Sequence, residues 1–334
     1  MSEVRAKKAL GQHFLVDLNI ARKICDALSG GVRPGTSAGE SAPADMAGNV
    51  GAGADTRVGT DGCADAGVGS LNGGGAGLAA GADARIAADT TAAGAPAVAE
   101  EERGGAVPCD VLEVGCGMGV LTQFLLRRGD ITTYGAEIDP ESVEYLHAHF
   151  PEFAPRLIEG DFLKMNLRER FPRGLKIIGN FPYNISSQIF FKVLEHRDLV
   201  PECVGMIQKE VAVRIAEPPG SKEYGILSVL LQAWYDIEYL FTVNETVFNP
   251  PPKVKSAVIR LRRNSVGRLG CDEALFVKVV KASFGQRRKM IRNSLRAVFG
   301  DFGGAEHPFF TQRAEQLSVA DFVQLTNWVA ANRK

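Results

Sequence analysis

With 334 residues, 45% of them hydrophobic, and a formal charge of −1, the chain has room for one large domain and a smaller one. Its six cysteines stand without any Cys-x-x-Cys spacing, which argues against a disulfide framework or a zinc site. No apolar run is long enough to cross a bilayer, and no apolar stretch follows Arg5, Lys7 and Lys8, so neither a membrane span nor a signal peptide is expected and a cytoplasmic location follows.

Asp17 is placed to cap a first helix running to about Leu28. Residues 30–106 then break every pattern. About half of them are Gly or Ala, and long aliphatic or aromatic side chains are almost absent. Such a segment cannot bury enough apolar area to offset its ordering entropy, so a disordered insert is expected. Lengthening that connection about fifteenfold costs only roughly 2 kcal/mol of loop closure. The insert also distorts the charge balance. Residues 35–106 hold ten acids and three bases, a net −7, which leaves +6 on the rest; residues 253–296 alone carry thirteen bases against Asp272 and Glu273. The chain reads as a basic protein with an acidic insert.

Beyond the insert, strands and helices alternate. Strands are predicted at 110–114, 131–137, 156–159, 175–179 and 203–208, with helices at 119–128, 140–149, 185–196 and 209–216. An apolar helix over 224–234 precedes two late strands, 237–243 and 256–261, joined through Pro250-Pro251-Pro252 and read as a hairpin. The alternation implies an α/β fold with a mostly parallel sheet covered on both faces. From about 268 the pattern turns helical, over 272–284, 286–298 and 318–331.

Two segments carry chemistry. In Val111-Leu-Glu-Val-Gly115-Cys-Gly117-Met-Gly119 a strand runs into a glycine turn and a helix, a cradle for a nucleotide-like cofactor. Glu137 ends the next strand, where an acid can accept from ribose hydroxyls. Dinucleotide enzymes and S-adenosylmethionine (SAM) enzymes both fit this description. Asp161, after a third strand, reads either as an acceptor for an adenine amine or as a helix cap. Asn180-Phe181-Pro182-Tyr183 follows the apolar run Leu175–Ile178. An Asn oxygen and a carbonyl fixed by proline can both accept from an exocyclic amine, and an aromatic ring can stack on its base.

At these residues the chain resembles the rRNA adenine N6-dimethyltransferases, most closely the bacterial small-subunit type. The matching blocks include Leu10-Gly-Gln-His-Phe-Leu15, Leu112-Glu-Val-Gly-Cys-Gly117, Glu137-Ile-Asp139, Gly160-Asp161 and Asn180-Phe-Pro-Tyr-Asn-Ile-Ser186. Gln208-Lys-Glu210, Tyr224-Gly-Ile-Leu-Ser228, Phe248-Asn-Pro-Pro-Pro-Lys-Val-Lys-Ser256 and the run from Phe284 to Leu295 follow in the family's order. The insert is the main departure; His13 and Gly285 each stand where the family often has Asn.

The resemblance implies a Rossmann-like SAM-dependent methyltransferase sheet, mostly parallel with one antiparallel strand, and a small C-terminal helical domain. Boundaries are expected at 1–29, 30–106, 107–266 and 267–334. It places His13, Leu15, Gly115, Glu137, Asp161 and Asn180 against SAM. Asn180 and Pro182 would grip the reacting amine, Tyr183 would stack on the target base, and Phe181 would line the pocket. No catalytic base is expected, because the product ammonium is acidic. Lys253, Lys255, Arg287, Arg288, Lys289, Arg292 and Arg296 are expected on RNA phosphates, with Arg288, Arg292 and Arg296 sharing one helix face. The implied substrate is 16S rRNA in an immature 30S subunit, acted on by a monomer. The alternatives are a macrolide-resistance type enzyme acting on 23S rRNA and a ribosome-assembly factor whose methylation is incidental. For the insert, the alternative to solvated filler is a charged flap near the RNA face.

Overall fold

The computed structural model describes Val4, Ala6, Lys7 and residues 10–31 and 108–333. The insert, apart from Gly30 and Gly31, lies outside the described residues, and so does its expected disorder. In chain order the elements are β1 (Phe14–Leu15), α1 (Leu18–Asp26), β2 (Cys109–Val114), α2 (Thr122–Leu125), β3 (Ile131–Glu137) and α3 (Pro140–His149). Then come β4 (Leu157–Glu159), α4 (Leu167–Arg170), β5 (Lys176–Asn180), α5 (Ser186–Glu195), β6 (Glu202–Gln208), α6 (Lys209–Ala216) and α7 (Ile226–Gln232). The chain finishes with β7 (Tyr235–Val243), β8 (Phe248–Asn249), β9 (Ser256–Arg263), α8 (Glu273–Gly285), α9 (Ile291–Phe299) and α10 (Val319–Asn332).

Seven strands form one sheet in the order β4-β3-β2-β5-β6-β9-β7. β9 runs against both its neighbours and all other pairs are parallel, so the sheet holds the one antiparallel strand expected. β1 and β8 pair separately, joining the N-terminal segment to the loop between β7 and β9.

The period of two along each strand sorts apolar side chains between two faces. Val111, Ile178, Val204 and Val258 pack with Ala21 and Ile24 of α1 on one side. Leu112, Ile177, Cys203 and Ile259 face the other side, in a cluster that takes in α5, α6 and α7. That second cluster continues without a break into Phe276, Leu295, Phe322 and Leu325 of the C-terminal helices.

Asp17 caps α1 as expected, accepting from the amides of Asn19 and Ile20. Three predicted helices come out clearly shorter; the one expected over 224–234 is confined to Ile226–Gln232. The helix expected over 119–128 is confined to Thr122–Leu125, because Gly115, Gly117 and Gly119 all take positive φ and prolong the turn. The helix expected over 286–298 starts only at Ile291. Residues 286–290 form a turn closed by the Lys289 amide on the Gln286 carbonyl, 2.7 Å.

At the N-terminal ends of the strands, opposite the glycine turn, a buried ion pair holds the end of the first helical segment. Lys176 Nζ lies 3.1 Å from Glu202, and it donates to the carbonyls of Ser29 and Gly30, each at 2.9 Å. Ser29 in turn donates to Glu202 through its amide and its hydroxyl. Arg128 adds bonds to the carbonyls of Cys25 and Leu28. Replacing Lys176 by Ala leaves a carboxylate that is 2% exposed with only Ser29 and Arg262, 3.9 Å away, as partners. The expected cost is about 3 kcal/mol, read as a lowered urea midpoint.

Candidate functional site

The parallel strands β2, β3, β4 and β5 point their C-terminal ends to the same edge, where ligands bind in open α/β sheets. One cavity opens there, with free space of about 1150 Å³ counted out to its mouth. It brings together residues that sequence alone had nominated from separate segments: His13, Leu15, Gly115, Glu137, Asp161 and Asn180 all border it.

The glycine turn forms the floor. Gly119 is needed twice over: its φ is +75°, and a Cβ there would come 2.4 Å from the Phe150 ring. Glu137 fixes the turn from the side. One of its oxygens accepts from the Gly117 amide at 2.8 Å, and the other accepts from the amides of Ile138 and Asp139, each at 2.9 Å. Burial raises the pKa of this carboxyl, and the three backbone bonds oppose the rise. Asp161 does cap the short 3-10 turn that follows it, accepting from the Leu163 amide at 2.9 Å, while still bordering the cavity. The two readings of that residue are therefore compatible.

Asn180, the last residue of β5, is oriented by the N-terminal segment. Its Nδ2 donates to the main-chain carbonyl of His13 at 2.9 Å, which leaves Oδ1 as a free acceptor. The Pro182 carbonyl accepts one turn bond from the Ile185 amide at 3.2 Å and keeps a second lone pair. The His13 ring is not turned wholly to the cavity: its Nδ1 donates to the Pro250 carbonyl at 2.9 Å. Tyr183 is half-buried, its hydroxyl 2.5 Å from Ser256 Oγ and its ring 5.2 Å from that of His13. Burial raises the phenol pKa, so it stays neutral. Phe181 forms part of the cavity wall but sits in the core, 1% exposed, with its ring under Gly179 and Gly205 and edge-on to Phe190. It shapes the strand end and offers no polar group to a substrate.

The basic residues divide. Arg287 pairs with Glu315 at 3.0 Å and bonds the carbonyl of Tyr224; Arg292 pairs with Glu306; Arg296 lies 3.3 Å from Asp301. Lys253, Lys255, Arg288 and Lys289 are exposed and make no ion pair among the described residues. The expected row of Arg288, Arg292 and Arg296 on one helix face does not form, because Arg288 lies in the turn before α9.

Sequence reasoning passed over Glu113, Gln12 and Asp139. Asp139 receives Gln12 at 3.3 Å and pairs with Lys7, tying the N-terminal segment to the loop after β3. Glu113 sits inside β2, 1% exposed, and accepts from the Thr122 hydroxyl at 2.6 Å. A charged residue amid Val111, Leu112 and Val114 was its signal.

A mostly parallel sheet with a cavity at the carboxyl ends of its strands is a Rossmann-like architecture. The family model for ribosomal RNA adenine dimethylase matches residues 108–331. A ribosomal RNA small subunit methyltransferase A from Parabacteroides distasonis is 61% identical over 218 residues, 65% of this chain and 81% of that protein. The protein of the same name from Porphyromonas gingivalis is 46% identical over 330 residues, 98% of both chains. Among solved structures, a dimethyladenosine transferase from Plasmodium falciparum superposes with a TM-score of 0.56 at 26% identity, covering 67% of this chain and 90% of that one. The chain belongs to the ribosomal RNA adenine dimethylase family, whose members are SAM-dependent methyltransferases.

Burial raises the Glu113 carboxyl from 4.5 to about 8, with Thr122 opposing and Glu137 adding to the rise. The folded chain thus holds a proton that the unfolded chain releases near 4.5, so this group's contribution to stability falls as pH rises from about 4.5 to about 8. Comparing urea stability across that range, Glu113→Gln should lose this component of the downward slope.

Proposed function

We propose that this chain transfers methyl groups from SAM to N6 of two adjacent adenosines near the 3′ end of 16S rRNA, in an immature 30S subunit. Support comes from the relatives named small subunit methyltransferase A, and above all from one observation: Asn180 Oδ1 and a spare lone pair of the Pro182 carbonyl can accept at a cavity that Glu137 and Asp161 also border.

The cavity fits SAM on its own chemistry. Gly115 and Gly117 border the cavity and let a ligand approach the backbone, and Glu137 and Asp161 are acceptors at successive strand ends. Among the described residues neither Lys nor Arg borders the cavity, which suits a cationic ligand. Gly115, Glu137, Asp161, Leu15 and the His13 segment would hold SAM, which supplies an electrophilic methyl carbon on a sulfonium.

This chain's residues supply position. An adenine amine is a poor nucleophile while its lone pair is delocalised into the ring. Two acceptors on its hydrogens localise that pair and aim it, and such orientation is worth roughly 7–11 kcal/mol in favourable cases. Tyr183 stacks against the base, and no side chain need act as a strong base. The target must be unpaired or flipped, at a cost of a few kcal/mol that aromatic stacking partly returns. Exposed Lys253, Lys255, Arg288 and Lys289 supply phosphate contacts. Arg287, Arg292 and Arg296 act first in holding the C-terminal helices.

Asn180→Ala should lower the methylation rate by about 100-fold, since misplacing a reacting group costs on that order. Single-turnover assays on unmethylated small subunits check it. Replacing Lys253, Lys255, Arg288 and Lys289 by Ala should flatten the salt dependence of RNA binding by roughly 0.7–0.9 per residue in the log–log slope. Arg292→Ala should leave that slope nearly unchanged and lower thermal stability instead. The deciding assay offers purified protein, labelled SAM and either unmethylated small subunits or 23S rRNA. N6,N6-dimethyladenosine on 16S rRNA is expected; label on 23S rRNA alone would overturn the assignment.

A further inference from the structure

Glu113 borders the cavity yet has no part in the mechanism above. It is 1% exposed, and among the described residues the one charged group that acts on it is another acid, Glu137. The groups facing it are the Thr122 hydroxyl from α2, Cys116 from the glycine turn, Cys25 from α1 and Glu137 from β3. None is a cation. The other titratable groups bordering the same cavity are His13, Asp161 and Tyr183. A carboxylate buried so deeply without a positive partner is strongly disfavoured, and a carboxyl in that position keeps its proton.

We propose that Glu113 is a cofactor-sensing group: it is protonated in the empty cavity and releases its proton when the cationic methyl donor binds, so that it discriminates the sulfonium of SAM from the neutral thioether of S-adenosylhomocysteine. This rests on the reading of the cavity as a SAM site. The chemistry is simple. The ammonium and carboxylate of the methionine head cancel, so SAM carries one net positive charge and the demethylated product carries none. Only the former compensates an ionised Glu113. The O–H bond of the carboxyl breaks, its electron pair stays on oxygen and the proton passes to solvent. Glu113 is in this sense a positioning and selectivity residue, acting on affinity.

The sign follows. With the empty-site carboxyl titrating at about 8, a bound cation shifts it down, so affinity for SAM rises with pH below that value and levels off above it. The slope approaches about tenfold per unit at its steepest. Glu113→Gln keeps an oxygen to accept from the Thr122 hydroxyl, but it has no proton to give.

Calorimetric titration of the full chain with SAM, in buffers of different ionisation enthalpy at pH 7, reads the proton directly. Wild type is expected to release close to one proton with SAM and close to none with S-adenosylhomocysteine. Glu113→Gln is expected to release none with either and to lose about tenfold of the preference for SAM. Equal proton release with both ligands, or an unchanged pH slope in Glu113→Gln, overturns the proposal. Failure of wild type to bind SAM at all would instead remove the assignment of the cavity, and this role with it.

Discussion

The carboxylate of Glu137 accepts from three backbone amides, those of Gly117, Ile138 and Asp139, and through them it ties the end of β3 to the turn after β2. That fan of bonds fixes the floor of the cavity. A turn with three glycines at positive φ has little conformational preference of its own. Buried and charge-assisted, the bonds to Glu137 select one shape for it. The same logic recurs at the end of β5, where the His13 carbonyl selects one orientation of Asn180. Both devices tie a side chain to main-chain groups, so the shape of the cavity is held by the backbone.

Most of the fold was legible because its signals are local and strong. Strand 131–137 and helices 140–149 and 209–216 emerge with the boundaries read from periodicity, and Asp17 caps α1 as its type suggests. What failed was also physical. Helical periodicity cannot see that three glycines in succession prolong a turn, nor that Gln286 and Lys289 close one before α9. Gly115, Glu137, Asp161 and Asn180 were found through short motifs at strand ends that parallel pairing brings together, whereas His13 and Leu15 came from the family resemblance alone. Glu113 was missed because an acid in an apolar strand was counted as part of the strand. Its meaning depends on what surrounds it, which no spacing reveals.

The basic residues teach a related lesson. A count of charge on 253–296 treats every Lys and Arg as available. In the fold, Arg287, Arg292 and Arg296 are spent on Glu315, Glu306 and Asp301, and Arg260 on Glu238. Partners far along the chain decide which cations face outward. Exposed cations without an ion pair among the described residues include Lys253 and Lys255 in the loop before β9, Arg288 and Lys289 in the turn before α9, and Arg268, Lys278 and Lys281 in and before α8.

At the pole away from the cavity, Gly31 lies so close to the next strand that a Cβ there would stand 3.3 Å from the Cys109 amide and 2.4 Å from the Asp130 carbonyl. Residues on either side of the long insertion are thus neighbours in space, stitched by Lys176 and Glu202. Chain length between two such points can drift over generations with little penalty to the chemistry at the far edge. The same junction is a natural port for a fluorophore or affinity handle, spliced in where the catalytic edge would not register it.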